Sequence, residues 1–203
     1  MKIVVRNEQE KDYRRVEEIA RAAFFTPWRV EHGKIGCPYE HWMVNELRKR
    51  DGILPLSIVA EVNGLVVGHV ICSNAEVTTE TGKVPVLNIG PVSVMPEYQR
   101  MGVGKALMRE MIRKAKELRY GAFLFFGRSE YYPQFGFVEA SVFGITDING
   151  ENCPPFMGME LIPGYLAPAR GGKYYEGDIF DDDLNRETVK AFDEKFMNAT
   201  QID

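Results

Sequence analysis

The stretch Val92–Ala106 constrains this chain more than any other part of it. Apolar residues typical of a strand are followed by Pro96, which ends the strand, and then by a helix that opens on Gly102 and Gly104. With Gln99 ahead of them, the glycines form the pattern Q-x-x-G-x-G. Glycine has no Cβ atom, so the backbone there can approach a ligand closely, and the unpaired amides at a helix start are partially positive. The stretch therefore predicts a cradle for a pyrophosphate group.

Spacing distinguishes this cradle from other phosphate-binding motifs. A P-loop requires Gly-x-x-x-x-Gly-Lys followed by Ser or Thr, but here Ala106 follows Lys105 and Gln99 stands in the place of the first glycine. A Rossmann fingerprint requires three glycines near the start of a domain, whereas this chain has a pair at its middle. The strand, Pro96 and the glycine spacing together resemble instead the acetyl-CoA loop of the GNAT acetyltransferase superfamily. A glycine pair alone is also typical of a close-packed helix start, so the interpretation depends on the whole stretch.

The composition limits the classes of protein to be considered. A length of 203 residues with 45% hydrophobic and 27% charged residues is typical of a soluble globular chain, and we expect one domain over residues 1–203. The net charge of −4 provides no basic field that would attract nucleic acid or a membrane, so neither is an expected partner. Cys37, Cys72 and Cys153 are widely spaced, which favours reduced thiols over disulfides or a metal site. The spacing of the cysteines is the reason that no metal is expected. The sequence has no signal peptide and no apolar run long enough to span a bilayer, so it predicts a cytoplasmic protein.

Hydrophobic periodicity predicts a mixture of strands and helices. Asn63-Gly64 between two apolar runs is a strong hairpin signal. The strand at 122–127 follows a crossover helix, so we expect it to run parallel to the strand that ends at Val94. The predicted strands lie at 3–6, 56–62, 65–72, 84–94, 122–127 and 156–161. The first predicted helix follows a capping box at Asn7 and Glu10 and carries its apolar face from Val16 to Phe24; the others lie at 40–50, 103–118 and 184–197, with a short helix from Ser129.

The segment Gly127–Phe137 provides a second resemblance to the GNAT superfamily. In that family, a tyrosine five residues before the phenylalanine of a Gly-Phe pair is the usual catalytic acid, and Tyr132 occupies this position. Aromatic core packing is the alternative role, and it suits the neighbouring aromatic residues better than Tyr132. With the strand at 156–161 and Pro163-Gly164 downstream, the segment is similar to the YhbS-like branch of the family. The superfamily resemblance covers residues 3–162, and residues 163–203 form a C-terminal extension with only branch-level likeness.

The resemblance implies an α/β (α+β) fold, with a mixed, mostly antiparallel sheet, a central splayed pair of parallel strands, and flanking helices. It also implies transfer of an acetyl group from acetyl-CoA to a primary amine of a small molecule by direct attack in a ternary complex. A backbone amide should then point at the thioester oxygen, where negative charge develops, and we assign this role to Val94. Tyr132 would protonate the departing thiolate. The residues that the resemblance assigns to acetyl-CoA are Val92, Ser93, Val94, Gln99, Arg100, Met101, Gly102, Val103, Gly104 and Lys105.

The acceptor is expected beside the segment from Trp28 to Trp42, which commonly borders the acceptor site in GNAT proteins. We assign Trp28, Glu31, His32 and Trp42 to substrate binding, while a surface loop capped by half-buried tryptophans is the alternative interpretation. The sequence leaves open whether the protein forms a homodimer.

The general base has no clear candidate in the sequence. Many GNAT enzymes carry a glutamate on a central strand, but 87–90 and 123–126 contain no carboxylate. Glu31, His32, Glu40, His41 or a chain of water molecules could remove the proton from the amine. The missing strand carboxylate also leaves two other functions open: a peptide or protein acetyltransferase, and a non-catalytic sensor of acyl-CoA.

Overall fold

The computed structural model describes residues 1–25, 31 and 39–199, with side chains as far as Phe196. Within that part of the chain, the strands form an 8-stranded mixed sheet in the order β1-β2-β3-β4-β5-β7-β6, with β8 paired to β3. The strands are β1 (Ile3–Asn7), β2 (Ile58–Val62), β3 (Leu65–Thr79), β4 (Gly82–Val94), β5 (Ala122–Phe126), β6 (Val138–Glu139), β7 (Phe156–Glu160) and β8 (Lys173–Tyr175).

The hairpin between β2 and β3 follows the sequence signal. Asn63 and Gly64 both adopt positive φ angles, 51° and 81°, which is the conformation that a tight Asn-Gly turn requires. β3 continues past the predicted end at Cys72 and pairs with β4 as far as Thr79 opposite Gly82. The sequence prediction ended too early because the second half of β3 carries exposed polar residues.

Helices cover both faces of the sheet. The described helices are α1 (Tyr13–Phe24), α2 (Tyr39–Lys49), α3 (Val103–Glu117) and α4 (Asp182–Ala199). α3 packs Leu107, Met108 and Met111 against the apolar side chains of β2 and β3 in the main core. α1 and α2 pack against the other side of the same strands, through residues such as Ile19 and Val44. No helix in the described ranges is both long and apolar enough to cross a lipid bilayer.

The parallel strands β4 and β5 meet at a single register position, Leu87 opposite Phe123. The other edge of β5 is fully paired with β7, which runs antiparallel to it from Ala122 to Phe126. β4 and β5 therefore separate beyond Leu87, on the side where α3 begins. This mixed, mostly antiparallel sheet with one splayed parallel pair confirms the predicted fold class.

The C-terminal extension adds a strand that the sequence did not predict. β8 pairs antiparallel with β3, with Tyr174 opposite Val77. The Tyr174 ring is 1% exposed, and its hydroxyl donates a hydrogen bond of 2.8 Å to the carbonyl oxygen of Leu124 in β5. The extension is thus fixed to the middle of the sheet.

The short helix predicted from Ser129 is a 3-10 turn over Tyr132–Phe135, with Tyr131 at its N-cap. The prediction started the helix too early. Pro133 lies within the turn, and its missing N–H and fixed φ angle favour the first residues of a helix.

Candidate active site

A cleft of about 1160 Å³ opens where β4 and β5 separate. Its floor is the end of β4 from Asn88 to Val94, and one wall is the segment after β5, from Phe126 to Tyr132. The loop before α3 closes one end through Pro96 and Gln99. The far end is lined by Ala22, Ala23, Phe24 and Phe25 of α1 and the residue after it, Glu40 and Met43 of α2, and Glu176 and Phe180 of the extension.

The loop before α3 presents unpaired backbone amides. In the described part of the chain, the amides from Arg100 to Lys105 donate no hydrogen bond to another residue. Arg100 and Gly102 have positive φ angles, 58° and 92°, so the chain turns sharply before the helix begins. The Gln99 side chain fixes this turn, because its Nε2 donates a hydrogen bond of 3.1 Å to the carbonyl oxygen of Val94. This arrangement of amides at a helix start suits a pyrophosphate group.

Gly104 lies in the first turn of α3, facing the cleft. A Cβ atom at this position would lie 3.0 Å from the hydroxyl oxygen of Tyr131 and 3.8 Å from Cγ2 of Val94. A side chain here would therefore occupy the space between the helix and the tyrosine. Glycine leaves this space open, which is compatible with the predicted close approach of a ligand to the backbone.

The backbone direction of β4 determines which amides face the cleft. The amide of Met95 donates a hydrogen bond of 2.9 Å to the carbonyl oxygen of Val67 in β3. Because alternate residues of a strand direct their N–H groups to opposite edges, the amides of Val92 and Val94 point away from β3, towards the gap. Ser93 has the opposite orientation, and its side chain is 1% exposed. The amide of Val94 is thus directed as its proposed role, donation to the thioester oxygen, requires, and the amide of Val92 has the same direction.

Tyr132 lies at the wall of the cleft, next to the end of β5. Its ring packs edge-on against Phe125, with the ring centroids 4.6 Å apart, and against Phe137 at 5.9 Å. Burial, and then the neighbouring Tyr131, raise the pKa of Tyr132 to about 12, so the phenol is neutral at physiological pH. In the described ranges its hydroxyl has no hydrogen-bond partner. The group can therefore donate its proton to a ligand in the cleft.

The residues predicted for the acceptor are not brought together by the described structure. Trp28 and His32, like Cys37, lie outside the described residues, and Glu31 is exposed. Trp42 is 3% exposed and packs in a core cluster, with its ring centroid 5.4 Å from that of Tyr39. It does not line the cleft, although the sequence prediction assigned it to the substrate.

The candidates for a general base differ in their positions. His41 is fully buried between the rings of Phe192 and Phe196 and does not line the cleft. Glu40, on the adjacent face of the same helix, does line it. A carboxylate that sequence reasoning missed, Glu176, also lines the cleft, and burial raises its pKa to about 7. Its position depends on the pairing of β8 with β3, for which the sequence carries no local signal.

In the part of the chain that the structure describes, the side chains of His, Cys, Asp and Glu form no group that could hold a metal ion. Cys72 is buried and Cys153 partly buried, and both are free thiols. The groups that line the cleft include backbone amides, the phenols of Tyr131 and Tyr132, the carboxylates of Glu40, Glu130 and Glu176, and the guanidinium of Arg128. This set suits an acyl transfer in which protons move and an oxyanion must be stabilised.

Comparison with known proteins agrees with this geometry. An "Uncharacterized N-acetyltransferase YjhQ" from Escherichia coli K12 is 34% identical over 110 residues, which span 53% of this chain and 60% of that protein. A GNAT family N-acetyltransferase (YhbS) from Escherichia coli, solved in complex with CoA, has a TM-score of 0.74 at 21% identity, covering 89% of this chain and 93% of that one. A GNAT family acetyltransferase from Brucella melitensis, solved with acetyl-CoA, has a TM-score of 0.64 at 23% identity, covering 89% and 99%.

The sequence profile of the Acetyltransferase (GNAT) family matches residues 13–137. That range includes both motifs described above, the loop before α3 and the segment that carries Tyr132. The chain therefore belongs to the GNAT acetyltransferase family.

Proposed function

We propose that this protein transfers the acetyl group of acetyl-CoA to a primary amine of a small molecule, by direct attack in a ternary complex. The observation that carries the proposal is the cleft between β4 and β5, with unpaired amides at one end and Tyr132 at its wall. Both solved relatives with the same fold are described with CoA or acetyl-CoA bound.

Acetyl-CoA would bind with its pyrophosphate on the amides from Arg100 to Lys105. The partial positive charge of the helix start and the lack of a Cβ atom at Gly104 both favour this placement. The pantetheine arm would then follow the free edge of β4, where the amides of Val92 and Val94 face the gap. This brings the thioester to the region between the separated strands.

The reaction then needs a donor to the thioester oxygen and an acid for the thiolate. One of the two β4 amides would donate a hydrogen bond to the oxygen as negative charge develops on it. When the C–S bond breaks, the phenol of Tyr132 would give its proton to the sulfur. A single positioned acid of this kind contributes about 10²–10⁴-fold to the rate.

The side chains at the acceptor end of the cleft favour a small molecule as the acceptor. They come from α1, α2 and the extension, and they include Phe24, Phe25, Met43 and Phe180. Apolar side chains from three separate elements leave a bounded space next to the thioester. A compact amine with an apolar part matches such a space better than an extended polypeptide.

The test is acetyl-CoA-dependent thiol release with a panel of amines, amino acids, aminoglycoside antibiotics and peptides. We expect release with small primary amines. Release with peptides alone would favour a peptide acetyltransferase, and binding of acetyl-CoA without release on any acceptor would favour a sensor.

The Tyr132→Phe variant tests the acid. It keeps the ring that packs against Phe125 but removes the hydroxyl, so we expect kcat to fall at least tenfold while the Kd for acetyl-CoA and the melting temperature change little. Full kcat in this variant, under conditions where the chemical step limits the rate, would contradict the assignment.

A further inference from the structure

The proposed reaction needs a base, because an alkylamine is protonated at neutral pH and cannot attack until it loses a proton. The central strands provide none, since 87–90 and 123–126 carry no carboxylate. The described carboxylates that line the cleft are Glu40, Glu130 and Glu176. Glu130 is exposed at the rim, which leaves Glu40 and Glu176 as internal candidates.

Glu176 differs from Glu40 in its position between two cavities. A smaller cavity of about 290 Å³ lies beside the cleft, and it is lined by Ile148, Asn149 and Tyr175 among others. Phe126, Glu176 and Phe180 line both spaces. Glu176 therefore lies at the boundary between the smaller cavity and the cleft.

The fold fixes the chain on either side of Glu176. Tyr174 is anchored by its hydrogen bond to Leu124 and by its ring, which stacks on Phe156 with the centroids 5.1 Å apart. Tyr175 pairs with Glu76 of β3, so the strand holds its register up to the residue before Glu176. The backbone that carries Glu176 therefore starts from a fixed position at the end of β8.

The Glu176 carboxylate is partly buried and unpaired. In the described ranges no residue donates a hydrogen bond to it, and burial is the cause that raises its pKa to about 7. A carboxylate with a pKa near the working pH is the best compromise between being deprotonated and being basic enough to accept a proton. The other charged groups that line these two cavities are Glu40, Arg128, Glu130, Asp147 and Asp181, and the ionisable phenols are those of Tyr131, Tyr132, Tyr174 and Tyr175.

The other carboxylates of the smaller cavity already have structural roles. Asp147 Oδ1 accepts hydrogen bonds from the amides of Asn149 and Glu151, at 2.9 and 2.7 Å. Asp181 Oδ1 accepts bonds from the first amides of α4, including that of Leu184 at 2.9 Å. These groups hold the loops around the cavity and leave Glu176 as its unpaired carboxylate in the described ranges.

We propose that Glu176 is the general base of the reaction, and that the amine acceptor binds at the acceptor end of the cleft with its ammonium group at Glu176 and extends from there into the smaller cavity. This inference rests on the proposed acetyl transfer. The carboxylate takes one proton from the ammonium, and the freed nitrogen lone pair forms a bond to the thioester carbon. The C–S bond then breaks, the sulfur takes the proton of Tyr132, and the second proton leaving the nitrogen restores the phenol. Glu176 finally releases its proton to solvent.

The test is the pH dependence of kcat/KM for Glu176→Gln, measured with an amine that the wild-type protein acetylates. Glutamine keeps the shape of the side chain but cannot accept a proton. The wild-type profile should rise through a step near pH 7, and the variant should lose this step and about 10²-fold or more of its activity above it. The Kd for acetyl-CoA should stay unchanged, because Glu176 lies at the far end of the cleft from α3. Glu194→Gln is the matched control, since Glu194 is an exposed glutamate of the same extension outside both cavities.

Three outcomes would overturn the inference, and they can be distinguished. A Glu176→Gln variant with the wild-type profile would exclude Glu176 as the base while leaving acetyl transfer intact. If Glu40→Gln removed the step instead, the base would be on α2. If the wild-type protein bound acetyl-CoA but released no thiol with any amine, the proposed function would fail and the base would fail with it.

Discussion

Replacing Glu176 by glutamine also gives a prediction about stability that does not depend on knowing the acceptor. Burial raises the pKa of this carboxyl from 4.5 to about 7 in the folded protein. A raised pKa means that the fold favours the protonated form, so the stabilisation is fully present below pH 4.5 and is lost as the pH rises through 7. Each pH unit between these values corresponds to about 1.4 kcal/mol, so the free energy of unfolding should fall by about 3 kcal/mol by about pH 8.

The Glu176→Gln variant removes this loss, because glutamine is neutral at every pH. We expect its free energy of unfolding to match the wild type at about pH 4 and to exceed it by up to about 3 kcal/mol at about pH 8. Urea denaturation of both proteins across this range measures the difference directly. Glu194→Gln is again the control, and it should show no pH-dependent difference because Glu194 is exposed.

A stability difference that stayed constant between pH 4 and 8 would refute the reasoning, because it would mean that the Glu176 pKa is the same in the folded and unfolded states. A variant less stable than the wild type at pH 8 would refute it more strongly, since it would show that the charged carboxylate has a stabilising partner. The expected result, a more stable and less active protein, is typical of a catalytic group held in an unfavourable environment.

Other regions of the molecule give further predictions. Gly104→Ala should raise the Kd for acetyl-CoA, measured by calorimetry, at least tenfold, because the new methyl group blocks the backbone amides. Adding Tyr131→Phe removes the hydroxyl that lies 3.0 Å from this methyl group, and it should not restore binding. Restored binding would instead assign the loss to displacement of Tyr131. Burial alone would raise the pKa of Glu8, but the nearby His69, whose Nε2 lies 3.7 Å from Oε1 of Glu8, and the hydrogen bonds from Arg48 lower it to about 2. Glu8→Gln should therefore cost about 3 kcal/mol of stability at about pH 7, a cost that shrinks as the pH falls below 4.5 and the wild-type carboxylate begins to protonate; a cost that did not change with pH would contradict this.

The elements of the fold that were predicted correctly have local signals. The turn at Asn63-Gly64 and the strand, loop and helix of Val92–Ala106 are each specified by residues adjacent in the chain. The parallel direction of β5 followed from the crossover helix, which the sequence also shows. Neighbouring residues were enough to predict these elements, because each element is a backbone conformation that those residues favour by themselves.

The base and the acceptor walls depend instead on contacts between distant segments. β8 pairs with β3, about a hundred positions earlier in the chain, and its three residues, Lys-Tyr-Tyr, are too few to show the alternating pattern of a strand. Trp42 shows a related problem, because an aromatic residue in the right segment was assigned to the substrate without knowing which face of α2 is buried. The same helix turns Glu40 to the cleft, while Trp42 packs in the core cluster beside Met43, which also reaches the cleft.

Gly127, the glycine that follows β5, is a residue whose role depends both on its local sequence and on contacts between distant segments. A Cβ atom on Gly127 would lie 2.3 Å from Cε2 of Tyr132 and 2.6 Å from Cε2 of Phe125, so any larger residue would push the tyrosine away from the strand. Tyr131, the preceding residue, extends to α3 instead and places its hydroxyl beside Gly104. Each tyrosine of the pair thus occupies space that a glycine leaves open, one at the end of β5 and the other at the start of α3. The sequence contains both glycines, but only the separation of β4 and β5 explains why both are needed: the pair bridges the gap in which acetyl-CoA is proposed to bind.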